Sequence, residues 1–241
     1  MALISNFQKA KDTYRKHAVV QAKMAKKLIS EIYLNIQNNF DVIFEIGSGT
    51  GLLTDEIAEN LKYNHLLLND ITENFTHIKP DRYYQGNILD TKIEDKNIDL
   101  VLSSAVFQWI KDKEKLFLKL SSIIKDGGIL AFTTFGCKNF NQIKDITGFG
   151  LNYESPENIE EKLNGASFKI LYFEEELETL YFEDVKKILE HIKYTGVGTG
   201  AGYFWTKQKY EIFKDKYLKN FSDKNGVELT YHPVYFICKK D

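Results

Sequence analysis

The sequence predicts an α/β fold: a doubly wound, mostly parallel seven-stranded sheet with an antiparallel last strand, helices at the N-terminus and a late helical insertion. Three observations carry this expectation. Short apolar runs alternate with segments of helical periodicity from residue 41 to residue 135. The first apolar run leads directly into a glycine-rich turn and then a helix. Beyond residue 168 the alternation gives way to long β-like segments flanking two helical ones.

Taken in order, residues 5–36 read as helix. Phe7, Ala10, Tyr14, Ala18, Ala22, Ala25, Leu28, Ile29 and Ile32 recur at spacings of three and four without Gly or Pro between them, with room for one or two breaks. Asp41 to Ile46 is a buried parallel strand by composition and runs into Gly47-Ser48-Gly49-Thr50-Gly51, after which 52–61 is helical. Residues 65–68 form the next strand, ending at Asn69-Asp70, and 72–78 are expected as the crossover helix. A third strand spans 83–87, a fourth 99–104, a helix 112–124, and Asp126-Gly127-Gly128 turns the chain into a fifth strand over 129–135. Further on, 168–182 reads as one long strand and 183–194 and 206–221 as helices. Residues 227–239 read as a last strand broken around His232-Pro233. The last two strands are expected as an antiparallel pair added to the sheet edge. The glycine-rich stretch 196–202 is the nearest thing to a linker. The organisation is thus a single domain over 1–241: a helical cap over 1–36, a core over 37–135 and a helical insertion over 183–222.

Composition narrows the function. A net charge of −2 lacks the cationic excess on which binding to a nucleic-acid backbone leans. Cys137 and Cys238 have neither metal-ligand nor disulfide-framework spacing, and the five histidines do not cluster, so a reduced protein without a metal is expected. No apolar run approaches the roughly 18 residues of a membrane-spanning helix. The expected location is the cytoplasm.

The strongest chemical signal is Glu45-Ile46-Gly47-Ser48-Gly49-Thr50-Gly51. Alternate glycines permit the dihedrals and the close approach that a cofactor lying across a strand end requires. The third glycine comes one residue earlier than in the dinucleotide pattern G-x-G-x-x-G, and Leu52 takes that motif's last glycine position. Glu45 before the loop suits a cationic amino-acid moiety and would repel a diphosphate. Asp70, about 23 residues after Gly47, stands where a carboxylate takes ribose hydroxyls.

These features, in register at predicted strand ends, resemble the Rossmann-like class I S-adenosylmethionine-dependent methyltransferases. The resemblance covers residues 41–135 by motif and the whole chain by layout. It implies S-adenosylmethionine as cofactor and S-adenosylhomocysteine as product. The methionine part would lie on Gly47, Ser48, Gly49 and Gly51, the ribose at Asp70 and Ile71, and the adenine at Asn87 and Ile88, with Ser103 and Gln21 also at the cofactor. Many members carry Asp where this chain has Asn87; an amide oxygen can still accept from the adenine amino group, and the alternative is that Asn87 is a turn residue.

A finer resemblance lies outside the cofactor motifs. Phe7, Ala10, Tyr14, Ala18 and Gln21, the pair Gln108-Trp109 after strand four, and the segment from Leu189 to Gly196 together resemble the malonyl-[acyl-carrier-protein] O-methyltransferases of biotin synthesis. That resemblance implies methylation of the free carboxylate of a malonyl thioester on acyl-carrier protein or coenzyme A. Tyr14, Gln108 and Trp109 would position the acceptor, and no acid or base would be needed because the malonyl carboxylate is already ionised. Two other classes remain open: a methyltransferase for another small acid or a quinone precursor, and a non-catalytic S-adenosylmethionine-binding domain.

Each remaining feature has a plain alternative. Tyr14 and Gln21, seven apart, share a helical face over the cofactor, or Tyr14 is core and Gln21 solvated. Gln108-Trp109 walls the transferred methyl, or Trp109 is ordinary core. The stretch 196–205, ending in Tyr203-Phe204-Trp205, is a lid or a surface connection. Lys193 and Lys138 are the candidates to pair the acceptor carboxylate. Lys9, Lys11, Arg15, Lys16, Lys23, Lys26 and Lys27, against Asp12, form a docking surface for an acidic carrier or the wet side of an amphipathic helix.

Overall fold

A computed structural model describes residues 13–195 and 205–241. Phe7, Lys9, Ala10, Lys11, Asp12, the 196–202 glycine stretch, Tyr203 and Phe204 lie outside the described residues. The described residues divide into two compact units, one of 19–134, 154–175 and 234–241, the other of 13–18, 135–153, 176–195 and 205–233.

The larger unit is built on a seven-stranded sheet in the order β3-β2-β1-β4-β5-β10-β6. Its strands are β1 (Asn39–Ile46), β2 (Lys62–Asp70), β3 (Arg82–Gln85), β4 (Ile98–Ser104), β5 (Ile124–Phe135), β6 (Phe168–Glu175) and, last in the chain, β10 (Pro233–Lys240). The β1–β2, β1–β4, β2–β3 and β4–β5 ladders are parallel, and β10 pairs antiparallel with β6. The expected sheet is therefore present, including its antiparallel last strand. On one face helices α1 (Val19–Asn35) and α2 (Leu52–Asn60) bury Leu28, Ile32, Leu53 and Ile57 against Ile43 and Leu100. On the other, α3 (Lys113–Ser121) and α5 (Pro156–Gly165) bury Phe117, Leu120 and Leu163 with Phe44, Phe107 and Phe132. Strand order reverses between β1 and β4, and the crevice at the carboxyl ends of those two strands is where open α/β sheets bind ligands.

The smaller unit pairs β7 (Glu178–Phe182), β9 (Gly226–Tyr231) and the two-residue β8 (Ser222–Asp223) in the order β7-β9-β8, all antiparallel. Helices α4 (Asn141–Thr147), α6 (Val185–Tyr194) and α7 (Lys207–Asn220) belong to it.

Several expected elements are corrected. The helix over 5–36 has a break of the kind expected, at Ala18 between helical residues 13–17 and α1, whereas the elements that follow differ. Residues 72–78 form no helix. Thr72 N and Oγ1 both donate to Asp70 Oδ1, Thr76 N donates to Asn74 Oδ1, and Pro80 follows, so side chains take the donors a helix would use. The third strand stops at Gln85 instead of reaching Asn87, because Gly86 turns the chain at φ 133°. The expected turn at 126–128 lies inside β5, as an irregularity of register with β4 between Ile98 and Leu100. Residues 168–182 make two strands in different sheets, and α4 and α5 fall in a stretch for which no element was expected.

Candidate cofactor site

The site is assembled at the carboxyl ends of β1, β2 and β4. Gly47 and Ser48 both donate their amides to Asn69 O, at 2.7 and 3.1 Å, which carries the loop across from β1 to the end of β2. Gly47, Gly49 and Gly51 have φ of 75°, 49° and 89°, the left-handed region that glycine enters without cost. Gly51 caps α2, and Asp55 N donates to its carbonyl at 2.9 Å. A Cβ on Gly47 would lie 2.3 Å from Val106 Cγ2, so the turn after β4 presses directly on the loop. A Cβ on Gly49 would meet only Gly47 O, at 3.9 Å: that side of the loop is an open cradle.

Asp70 holds the loop from the second strand. Its Oδ2 accepts from Gly49 N at 2.9 Å and its Oδ1 from Thr72 N and Oγ1 at 2.8 and 2.7 Å. Oδ2 keeps a second lone pair able to accept from a hydroxyl. Ile71 beside it is 44% exposed, an apolar surface at the crevice. Asn69 Nδ2 donates to Tyr84 O and Gly86 O, tying the end of β3 to β2. Asn87 acts as a turn residue: its Oδ1 accepts from Leu89 N, and its carbonyl from Asp90 N and Thr91 N. Ile88 is buried in the core against Phe44 and Tyr84.

Glu45 is buried beneath the loop and accepts from Thr54 Oγ1 at 2.7 Å. Burial pushes its carboxyl up to about 8. The Thr54 hydroxyl pulls it partly back, and Asp70 and Asp55 add to the rise. Ser48 Oγ is buried near the Tyr83 phenol without a hydrogen bond of ordinary geometry, and Tyr83 donates to Thr72 O. Gln21 is buried on α1, correcting the solvated reading, and its Oε1 has no hydrogen-bond partner among the described residues. A three-residue link joins α1 to β1, and the two are about equally long, roughly 25 Å. The start of α1, where Gln21 sits, therefore lies toward the carboxyl end of β1 and the glycine loop. An open glycine cradle, a buried carboxyl, and two buried polar atoms awaiting partners fit an amino-acid-bearing nucleoside.

The remaining expected residues are placed as follows. Ser103 Oγ donates to Ile46 O at 2.9 Å and is wholly buried, so it ties β4 to β1 from within the core. Phe107–Trp109 forms a single 3-10 turn after β4. There Gln108 Nε2 donates to Ala105 O at 2.6 Å and its Oε1 accepts from Thr134 Oγ1 at 3.4 Å, which fixes the amide; Trp109 is partly buried. Tyr14 belongs to the smaller unit, where it neighbours Tyr231. Lys138 and Lys193, of the same unit, are exposed. Trp205, the described end of the expected lid, packs edge-on against Phe213. Sequence reasoning missed Asn69, Thr54 and Val106, of which only Asn69, next to Asp70 at a predicted strand end, carried a local signal.

Residues 44–132 match the family described as "Methyltransferase domain". A protein of Calditerrivibrio nitroreducens named malonyl-[acyl-carrier protein] O-methyltransferase is 38% identical over 98% of this chain and 96% of its own length. One of the same name from Bacteroides thetaiotaomicron is 34% identical over 99% and 97%. Among solved structures, a Bacillus halodurans C-125 protein described as a methyltransferase superposes with a TM-score of 0.64, covering 88% of this chain and 98% of that one. At 13% identity it shares the fold. The chain is an S-adenosylmethionine-dependent methyltransferase and belongs to the malonyl-[acyl-carrier protein] O-methyltransferase family.

Proposed function

We propose that the chain methylates the free carboxylate of a malonyl group held as a thioester on acyl-carrier protein, giving the methyl ester used early in biotin synthesis. The observation that supports this most is identity of 38% running through nearly the whole of both chains, well beyond the stretch that carries the cofactor loop. When bound, S-adenosylmethionine supplies an electrophilic methyl group on a sulfonium.

Holding the cofactor falls to the Gly47–Gly51 loop, Glu45, Asp70, Ile71 and Gln21, with Asn87 and Ile88 bordering the end of β3. The acceptor carboxylate is ionised near neutral pH, so no general base is required. The protein's part is alignment and exclusion of water. Gln108, its amide fixed by Ala105 and Thr134, is assigned to orient the acceptor beside the glycine loop, with Trp109 as its apolar neighbour.

A carrier-borne acceptor also needs a docking face. Lys27 of α1 pairs with Glu174 at 2.7 Å, and Lys23 and Lys26 of the same helix are exposed; we assign this basic face to an acidic carrier. We place the reaction in the cytoplasm; no helix among the described residues is long and apolar enough to cross a membrane.

The test is incubation with isotopically labelled S-adenosylmethionine and malonyl-acyl-carrier protein, followed by mass spectrometry. The expected result is a gain of one methyl group on the malonyl end that mild ester hydrolysis removes. Turnover of free small acids with none on the carrier-linked malonyl group would replace this acceptor.

A further inference from the structure

Glu45 is a carboxyl group with almost no solvent, 1% exposed at the end of β1. Its side-chain donor is the Thr54 hydroxyl of α2. The charges that face it are negative, Asp55 from α2 and Asp70 from the end of β2. Asp55 has His77 3.5 Å away, Asp70 is turned toward Gly49 and Thr72, and Tyr83 of β3 stands beside Asp70. Helix α1, which packs on the face of the sheet that Ile43 shares, carries the neutral amide of Gln21. Among the described residues, none of these elements brings a lysine or arginine to Glu45. An ionised carboxylate left unpaired in such a place loses its hydration without compensation, and the neutral acid avoids that loss.

We propose that Glu45 rests protonated in the cofactor-free protein and surrenders that proton to solvent when the cofactor's ammonium group arrives, so that loading the site is coupled to release of one proton. The inference rests on the cofactor reading given above. In the coupled step the Glu45 O–H bond breaks, the proton passes to buffer, and a carboxylate–ammonium pair replaces an uncharged acid. Gln21 Oε1, buried and without a partner among the described residues, is a second acceptor on the same side of the sheet for an ammonium that has three N–H donors. With Glu45 held at about 8, apparent affinity rises about tenfold per pH unit below that value and levels near it, up to the pH at which the ligand's own ammonium loses its proton.

The experiment is calorimetric titration of the whole chain with S-adenosylhomocysteine at pH 7 in phosphate and in Tris, whose ionisation enthalpies differ. Release of close to one proton is expected, and Glu45→Gln is expected to bind with none. Binding by the unaltered protein with equal heats in the two buffers overturns the inference, as does undiminished proton release by Glu45→Gln. Should Glu45→Gln fail to fold by circular dichroism, Thr54→Val takes its place. Removing the hydroxyl that favours the carboxylate moves the affinity plateau to higher pH, and an unmoved plateau overturns the proposal. No binding in either buffer, checked by equilibrium dialysis, refutes the cofactor reading itself and the inference with it.

Discussion

A single added methyl group distinguishes two glycines of the loop. At Gly47 an alanine Cβ would sit 2.3 Å from the branched, half-buried side chain of Val106 in the turn after β4. Gly47→Ala is expected to cost about 2–3 kcal/mol of stability, strain in φ adding to overpacking. At Gly49 the Cβ would enter open space, leaving only the dihedral penalty of about 1 kcal/mol. That space is the cradle, so Gly49→Ala should unfold within about 1 kcal/mol of the parent yet bind S-adenosylhomocysteine at least about tenfold more weakly. Urea titration and calorimetry on the two variants separate the effects. A Gly49→Ala protein with unaltered affinity would show that the cofactor lies elsewhere.

Elements were legible where the deciding interactions are local, and illegible where they are not. The strand, glycine turn and helix from Asn39 to Asn60 announce themselves through an apolar run, three glycines and a helical repeat. At Thr72, Asn74 and Thr76 the same apparent helical spacing misleads, because short polar side chains capture the backbone first. Ser155-Pro156 starts α5, with Ser155 accepting from Asn158 N and Pro156 in the first turn, a local signal that went unread in the sequence. What no sequence window displays is why α5 stays on α3. Glu154, just before α5, pairs with Lys113 at 3.1 Å and with Lys162, and Lys113, 8% exposed, also donates to Ile110 O. Burial already pushes the Lys113 ammonium down. Glu154→Gln strips that ammonium of its counter-charge, and a loss of about 3 kcal/mol in unfolding free energy is expected. A loss below about 1 kcal/mol would mean that water replaces the carboxylate without penalty.

At the scale of the whole molecule, the two units carry opposite pH dependences. In the larger, Glu45 is raised from 4.5 to about 8, so the folded state holds a proton that the unfolded state has lost. Its stabilising contribution is complete below pH 4.5 and drains away as pH rises to 8. In the smaller, His191 is buried with Nε2 2.7 Å from Tyr231 Oη, and burial, with His17 close by, pushes it from 6.5 down to about 4. There the unfolded state takes up the proton first. The contribution is complete above pH 6.5 and is lost as pH falls to 4. The slopes oppose one another between 4.5 and 6.5, so the two contributions summed are level there without cofactor; outside that window the sum falls by about 2 kcal/mol between pH 6.5 and 8 and by less than about 1 kcal/mol between pH 4.5 and 4. The chain's two tryptophans fall one in each unit, Trp109 in the larger and Trp205 in the smaller. Urea unfolding followed by fluorescence in Trp205→Phe and Trp109→Phe therefore reads the units separately. Trp109 should report the alkaline decline and Trp205 the acid one. S-Adenosylhomocysteine, by pairing the Glu45 carboxylate, should flatten the alkaline arm and leave the acid arm unchanged. A Trp109 midpoint that stays constant from pH 6.5 to 8 without ligand would contradict a neutral Glu45, and coincident pH profiles for the two probes would mean that the units unfold as one body.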